Sequence, residues 1–107
     1  MKKSIVKNED VLDEVALSIS ERDVELISSA LTSPRRLQIL KDVGAASGPY
    51  ACTAISQSLQ ISAATLSYHI KELERAGLVE VIRDGKFMLL TLKREVLRAY
   101  AGYLSGF

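Results

Sequence analysis

The chain is short of the residues on which metal, redox and secreted folds depend. It has one cysteine, Cys52, and one histidine, His69. A lone cysteine cannot close an internal disulfide, which fits a reducing compartment. One thiolate and one imidazole cannot supply the several soft ligands of a zinc-type site. No apolar run approaches the ~20 residues that span a bilayer. The opening MKKSIVKNEDVLDEV turns acidic before a signal-peptide apolar stretch can form, so a cytoplasmic protein without membrane contact is expected. Also missing are a Gly-rich phosphate loop, a Cys-His or Ser-His-Asp arrangement with a plausible base, and a carboxylate pair at informative spacing. An enzyme is therefore the least expected class, and no catalytic residue, metal or cofactor is assigned.

What is present describes one ordinary domain. The 107 residues suffice for a single hydrophobic core. Hydrophobic residues at 48% and charged ones at 25% exclude wholesale disorder. The net charge of +1 hides an asymmetry. Residues 1–30 hold four Lys/Arg against seven Asp/Glu, whereas residues 31–107 hold ten against six. The later part thus offers a local anion-binding face.

Periodicity divides the chain further. Val11, Leu12, Val15, Ala16 and Ile19 fall at amphipathic helical spacing. A second run, with Val24, Ile27 and Leu31 on one side, follows a cap-like Ser20 and Asp23; one bent helix or two both fit. Ser33 and Pro34 start a helix with Leu37, Leu40 and Val43 as its stripe, closed by Gly44. GAASGPYA reads as a loop with a short extended piece at Tyr50-Ala51. Thr53 then caps a short helix carrying Ile55 and Leu59. After Ile61, Ser62 caps another that turns Leu66, Ile70 and Leu73 inward and stops at Gly77. Two short helices joined by a tight turn are the skeleton of a helix-turn-helix. Beyond it, LVEVIR and KFMLLTL flank Asp84-Gly85, a two-residue hairpin signal, and KREVLRAYAGYL closes the chain as a helix. The expected fold is mainly α with a small β-hairpin. It is a winged helix-turn-helix spanning 1–107, with a helical dimerisation region at 1–31, the helix-turn-helix at 53–77, the wing at 78–92 and a C-terminal helix at 93–107.

SAATLSYHIKELERAGLV resembles the signature of the ArsR-like transcriptional regulators, and LTSPRRLQIL is similar to that family's second helix. The resemblance covers about residues 28 to 92. It implies a dimeric, sequence-specific DNA-binding repressor released by a signal. Metal-sensing members carry a Cys-x-Cys whose positions fall here on Ala51 and Thr53, with Cys52 between them. Another metal site of the family uses histidine on the C-terminal helix, and no histidine follows His69. The metal-sensing part of the resemblance is therefore not supported.

The residues themselves point to duplex DNA as the partner. With Leu66 inward, Ile70 and Leu73 lie within about 40° of it at ~100° per residue. Ala64, Tyr68 and Lys71 then face outward, with Thr65 and Ser67 on the flanks. Ala63 and Ala64 keep the helix start slim enough to approach base edges. Ser62 and Ser67 can donate to phosphates, and Thr65 and Tyr68 offer groove contacts. His69, about 60° from the core direction, is either hydrogen-bonded at the core's edge or a phosphate contact. A turn at Asp84-Gly85 makes Arg83 and Lys86 opposed cross-strand neighbours whose repulsion a DNA phosphate relieves. Arg35 and Arg36, at a helix start, could touch phosphate or pair with an acid.

Pairing the stripes on 11–19 and 96–104 across a two-fold axis would form a homodimer with recognition helices ~34 Å apart. Tyr100, Tyr103 and Phe107 serve either the core or a ligand pocket. Cys52 is either a small half-buried residue or a redox thiol, which would require exposure and a lowered pKa. The function expected is a sequence-specific transcriptional repressor on a palindromic operator, its small-molecule or redox inducer unidentified. The rival is a winged helix used for protein contact, favoured by the modest net charge and by Glu72 and Glu74.

Overall fold

Serines set three of the helix starts. The computed structural model of the protein describes residues 19–107, so the stripe expected over Val11, Leu12, Val15 and Ala16 lies outside the described residues. Helix α1 (Glu21–Ala30) begins at Ser20, whose hydroxyl accepts from the Asp23 N–H while the Asp23 carboxylate accepts from the Ser20 N–H. This reciprocal box satisfies donors that a helix start leaves unpaired. Helix α2 (Pro34–Ala45) begins at Ser33, with proline in the first turn, where its missing N–H costs nothing.

The inward face of α2 differs from the expected stripe. Leu37 is 40% exposed, and Arg36, Ile39, Leu40 and Val43 are buried. That set centres between Arg36 and Val43, leaving Leu37 about 110° away on the helical wheel. Gly44 does not end the helix, which continues to Ala45. A Cβ at Gly44 would stand 3.1 Å from Leu92 Cδ2, so glycine there permits close approach of a strand.

Strand β1 (Tyr50–Ala51) runs directly into helix α3 (Cys52–Leu59). Its cap residue is Ala51, without a side-chain hydrogen bond, and Thr53, the expected cap, is already helical and exposed. The helix-turn-helix therefore opens at Cys52 rather than at residue 53. Gln60 closes α3 in the left-handed region at φ 55°, and the Ile61 N–H reaches back to the Ser56 carbonyl at 3.1 Å. That closure makes the turn tight.

Helix α4 (Ala63–Arg75) follows, capped by Ser62. It stops through Gly77 at φ 75°, with the Gly77 N–H on the Glu74 carbonyl and the Leu78 N–H on that of Leu73. These two bonds form a Schellman closure, which needs a residue tolerant of positive φ. Leu66, Ile70 and Leu73 are buried as expected.

Strands β2 (Val79–Asp84) and β3 (Phe87–Leu92) form the hairpin, and β1 adds to β3, giving an antiparallel sheet in the order β1-β3-β2. The register corrects the expected turn. Asp84 pairs with Phe87 and Arg83 with Met88, so the turn residues are Gly85 and Lys86. Arg83 and Lys86 are thus not cross-strand neighbours, and the repulsion argued for them does not arise. Gly85, at φ 62°, occupies the first central position, where type II′ turns carry glycine.

Helix α5 (Arg94–Ser105) lays Val96, Leu97 and Tyr100 against the core and buries Ala99. The Tyr100 hydroxyl bonds that of Ser28 at 2.7 Å, joining α5 to α1. Of the expected 96–104 stripe, Ala101 and Leu104 are exposed instead, together with Tyr103 and Phe107. One cluster built on Ile27, Ile39, Ile55, Leu73, Leu78 and Leu90 holds these elements together. No described helix is long and apolar enough to cross a membrane.

Candidate nucleic-acid interface

The turn between α3 and α4 fixes where α4 points. Arg35 Nη1 donates to the Leu59 carbonyl at 3.2 Å, and the Ser56 hydroxyl donates to that of Ile61 at 2.6 Å. One satisfies the last carbonyl of α3 and the other a carbonyl of the turn. The Ser62 hydroxyl accepts from the Thr65 N–H at 3.1 Å and donates to Thr65 Oγ1 at 3.0 Å. Ser62→Ala is therefore expected to lower stability by about 1 kcal/mol, read as a shifted urea midpoint at unchanged slope. An unmoved midpoint would show that the cap adds nothing.

With its apolar side buried, α4 exposes Ala63, Ala64, Thr65, Tyr68 and Lys71, and leaves Ser67 and His69 half-buried. Tyr68 is 58% exposed. Its ring lies 5.5 Å from that of His69, tilted by 57°. The two small residues at the start leave the first turn slim. Acidic residues sit toward the far end, where Glu72 pairs with Arg75 at 3.6 Å, the one ion pair among the described residues.

His69 is at the edge of the core, where sequence reasoning left it open. Its Nδ1 lies 3.2 Å from Arg36 Nη1. Burial first, then the guanidinium groups of Arg36 and Arg35, hold its pKa below the ordinary 6.5. A guanidinium can only donate, so Nδ1 is the acceptor and the ring is neutral. Arg36, expected on a phosphate or an acid, forms no ion pair with a described residue; its Nε donates to the Ala30 carbonyl at 2.7 Å. Its place on the buried face of α2, three and four residues before Ile39 and Leu40, was the available signal.

The wing tip carries Arg83 and Lys86, both exposed. Lys86 Nζ lies 5.8 Å from the centre of the Phe87 ring, which is itself 54% exposed. Arg83 is near enough to the start of α3 to pull on the Cys52 thiol. Between α3, α4 and Met88 lies an open cavity of about 300 Å³, bordered by Cys52, Ser67 and Ile70. Cys52 is half-buried, and burial pushes its thiol pKa up more than Arg83 draws it down. That is the opposite of the activated thiolate a redox thiol needs. Among the described residues no cluster of three or more His, Cys, Asp or Glu could hold a metal ion.

Comparison with known proteins fits this geometry. A helix-turn-helix domain family matches residues 31–82. A possible transcriptional regulatory protein (fragment 1–100) from Mycobacterium bovis is 30% identical, with TM-score 0.65, over 79% of this chain and 90% of that one. A solution structure of a fragment from the same organism, again 30% identical, is described as a homodimeric winged helix-turn-helix DNA-binding domain, a possible ArsR-family transcriptional regulator. The chain belongs to the ArsR-like winged helix-turn-helix regulators. An ArsR-like regulator from Rhodococcus sp. RHA1, 22% identical over 79% of this chain and 78% of that one, shares the fold at TM-score 0.71. No curated protein matches. In this ArsR-like chain the positions corresponding to the family's metal-sensing cysteines are the helix-capping Ala51 and the exposed Thr53. The wing, the capped recognition-type helix and the turn between α3 and α4 are those of a DNA-binding regulator.

Proposed function

We propose that this ArsR-like regulator is a homodimeric, sequence-specific repressor that inserts residues 62–71 into the major groove of a palindromic operator. The observation that carries the reading is the outward face of α4, where Ala63, Ala64, Thr65, Tyr68 and Lys71 are exposed on a helix whose other side is anchored in the core. Small residues at its start admit base edges. Ser62, Thr65, Ser67 and His69 offer polar groups for phosphates and groove edges, and Lys71 adds a charge. Arg83 and Lys86 bring cations to the backbone beside the groove.

Dimerisation draws support from the homodimeric Mycobacterium relative and from Tyr103 and Leu104 of α5 and Phe107 just after it, all exposed. A two-fold axis through the terminal helices would set the two recognition helices ~34 Å apart, one turn of DNA. The protein binds rather than catalyses. A small-molecule inducer fits this reading better than a redox one, since burial raises the pKa of the Cys52 thiol.

The test is a fluorescence-anisotropy titration against duplex DNA from upstream of the protein's own gene, at low and moderate salt, beside a scrambled duplex of equal length. Preference for its own duplex, weakening steeply with salt, is the expected result. Negligible binding to both, with a protein partner recovered instead, would establish the rival reading in which the winged helix serves protein contact.

A further inference from the structure

Arg36 is the one buried charged residue among the described residues, with 9% of its surface exposed. A buried charge is costly unless hydrogen-bonded, and no carboxylate among them pairs with it. Its Nε instead donates to the carbonyl of Ala30 at the end of α1, and its Nη1 lies on Nδ1 of His69 in α4. The first contact uses the negative end of a helix dipole. The second has a chemical consequence. The bond made by one imidazole nitrogen decides which nitrogen carries the proton. Nδ1 must accept from the guanidinium, so the proton resides on Nε2. Nε2 has no hydrogen bond to a described residue, and no buried side-chain nitrogen or oxygen among them lacks a partner. That N–H is therefore open to solvent, beside the exposed Tyr68.

We infer that Arg36 is a positioning residue for DNA reading: it locks His69 in the Nε2–H tautomer and turns that N–H toward a backbone phosphate, without touching DNA itself. The inference rests on the DNA-binding function proposed above. It also ties the angle of α4 to the end of α1, because the guanidinium bridges the two.

The experiment has two arms, one of which needs no DNA. His69 is the only histidine in the chain, so its ring nitrogens can be read by ¹⁵N NMR without ambiguity. The wild type is expected to show a protonated Nε2, a bare Nδ1 and a titration midpoint below 6.5. Arg36→Met should mix the tautomers and raise the midpoint, since it removes both the donor and a nearby charge. A wild-type ring protonated on Nδ1, or a tautomer unmoved by Arg36→Met, would overturn the inference.

The second arm uses His69→Asn, whose amide oxygen can stand where Nδ1 stood and keep the Arg36 bond while the outward N–H is lost. A mixed-sequence duplex at low ionic strength is the probe, because a phosphate contact needs no operator. His69→Asn should keep the wild-type unfolding midpoint and bind about ten-fold more weakly, the loss expected for one hydrogen bond to a charged group. Equal binding would reduce the pair to a structural contact. Failure of the wild type to bind any duplex would overturn the DNA reading and the phosphate role together, while the NMR arm would still decide the tautomer.

Discussion

Leu73→Ala is expected to destabilise the protein by about 2–5 kcal/mol, a large part of the roughly 5–15 kcal/mol that holds a small domain folded. Leu73 is fully buried. It belongs to the same face of α4 as Leu66 and Ile70, and its carbonyl receives the Leu78 N–H that closes the helix. Leu78 is fully buried as well, so both ends of the Schellman closure are set in the core. Alanine would leave a void that neighbours anchored to three other elements cannot easily fill, because α4 meets α1, α3 and β2. Urea unfolding measures the effect as a lowered midpoint. The cost should appear in DNA binding only near the unfolding transition, because Leu73 faces away from the exposed residues. A loss below about 1 kcal/mol would mean that this face of α4 is not anchored as described.

Helix α4 was legible in the sequence because every signal for it is local. Ser62 at the cap, Gly77 at the stop and apolar residues three and four apart require no knowledge of the rest of the chain. The wing was legible as a hairpin but not in register. The expected turn at Asp84-Gly85 and the observed one at Gly85-Lys86 slide the strands by two residues, which leaves every side chain on its own face. Alternation therefore cannot choose between them. The observed register places Glu80 opposite Thr91 and Ile82 opposite Leu89, whereas the other sets Glu80 against Leu89. The other register also sets Arg83 directly against Lys86, and like charges so opposed are destabilising, whereas the observed one places Arg83 opposite Met88.

Arg36 escaped for a different reason. Its partners lie 6 and 33 residues away in the chain, and a basic pair at a helix start has a ready surface interpretation. Only the recurrence of Arg36, Ile39, Leu40 and Val43 on one face carries the information that this arginine turns inward. The candidate interface was thus readable where it is made of one helix, and unreadable where two helices build it jointly.

The corrected wing leads to the second large effect. Arg83 and Lys86 are not opposed across the strands, so position and charge alone bring them to DNA. Both are exposed at the tip of the hairpin, and neither forms an ion pair with a described residue. Arg83 also lies near the start of α3, close enough for its charge to act on the Cys52 thiol, which places it on the helix-turn-helix side of the wing. If each cation neutralises one phosphate, each single alanine variant should reduce the slope of log K against log salt by about 0.9, and the double variant by about twice that. The double variant should bind about a hundred-fold more weakly at low salt, as the loss of two charge-assisted contacts requires. The loss should be nearly the same for operator and scrambled duplex, since phosphate contacts carry no sequence information. An anisotropy series over salt concentration, run on both duplexes, measures all three quantities. An unchanged slope would remove the wing cations from the interface and leave α4 to bind alone; a loss confined to the operator would instead make them readers of bases.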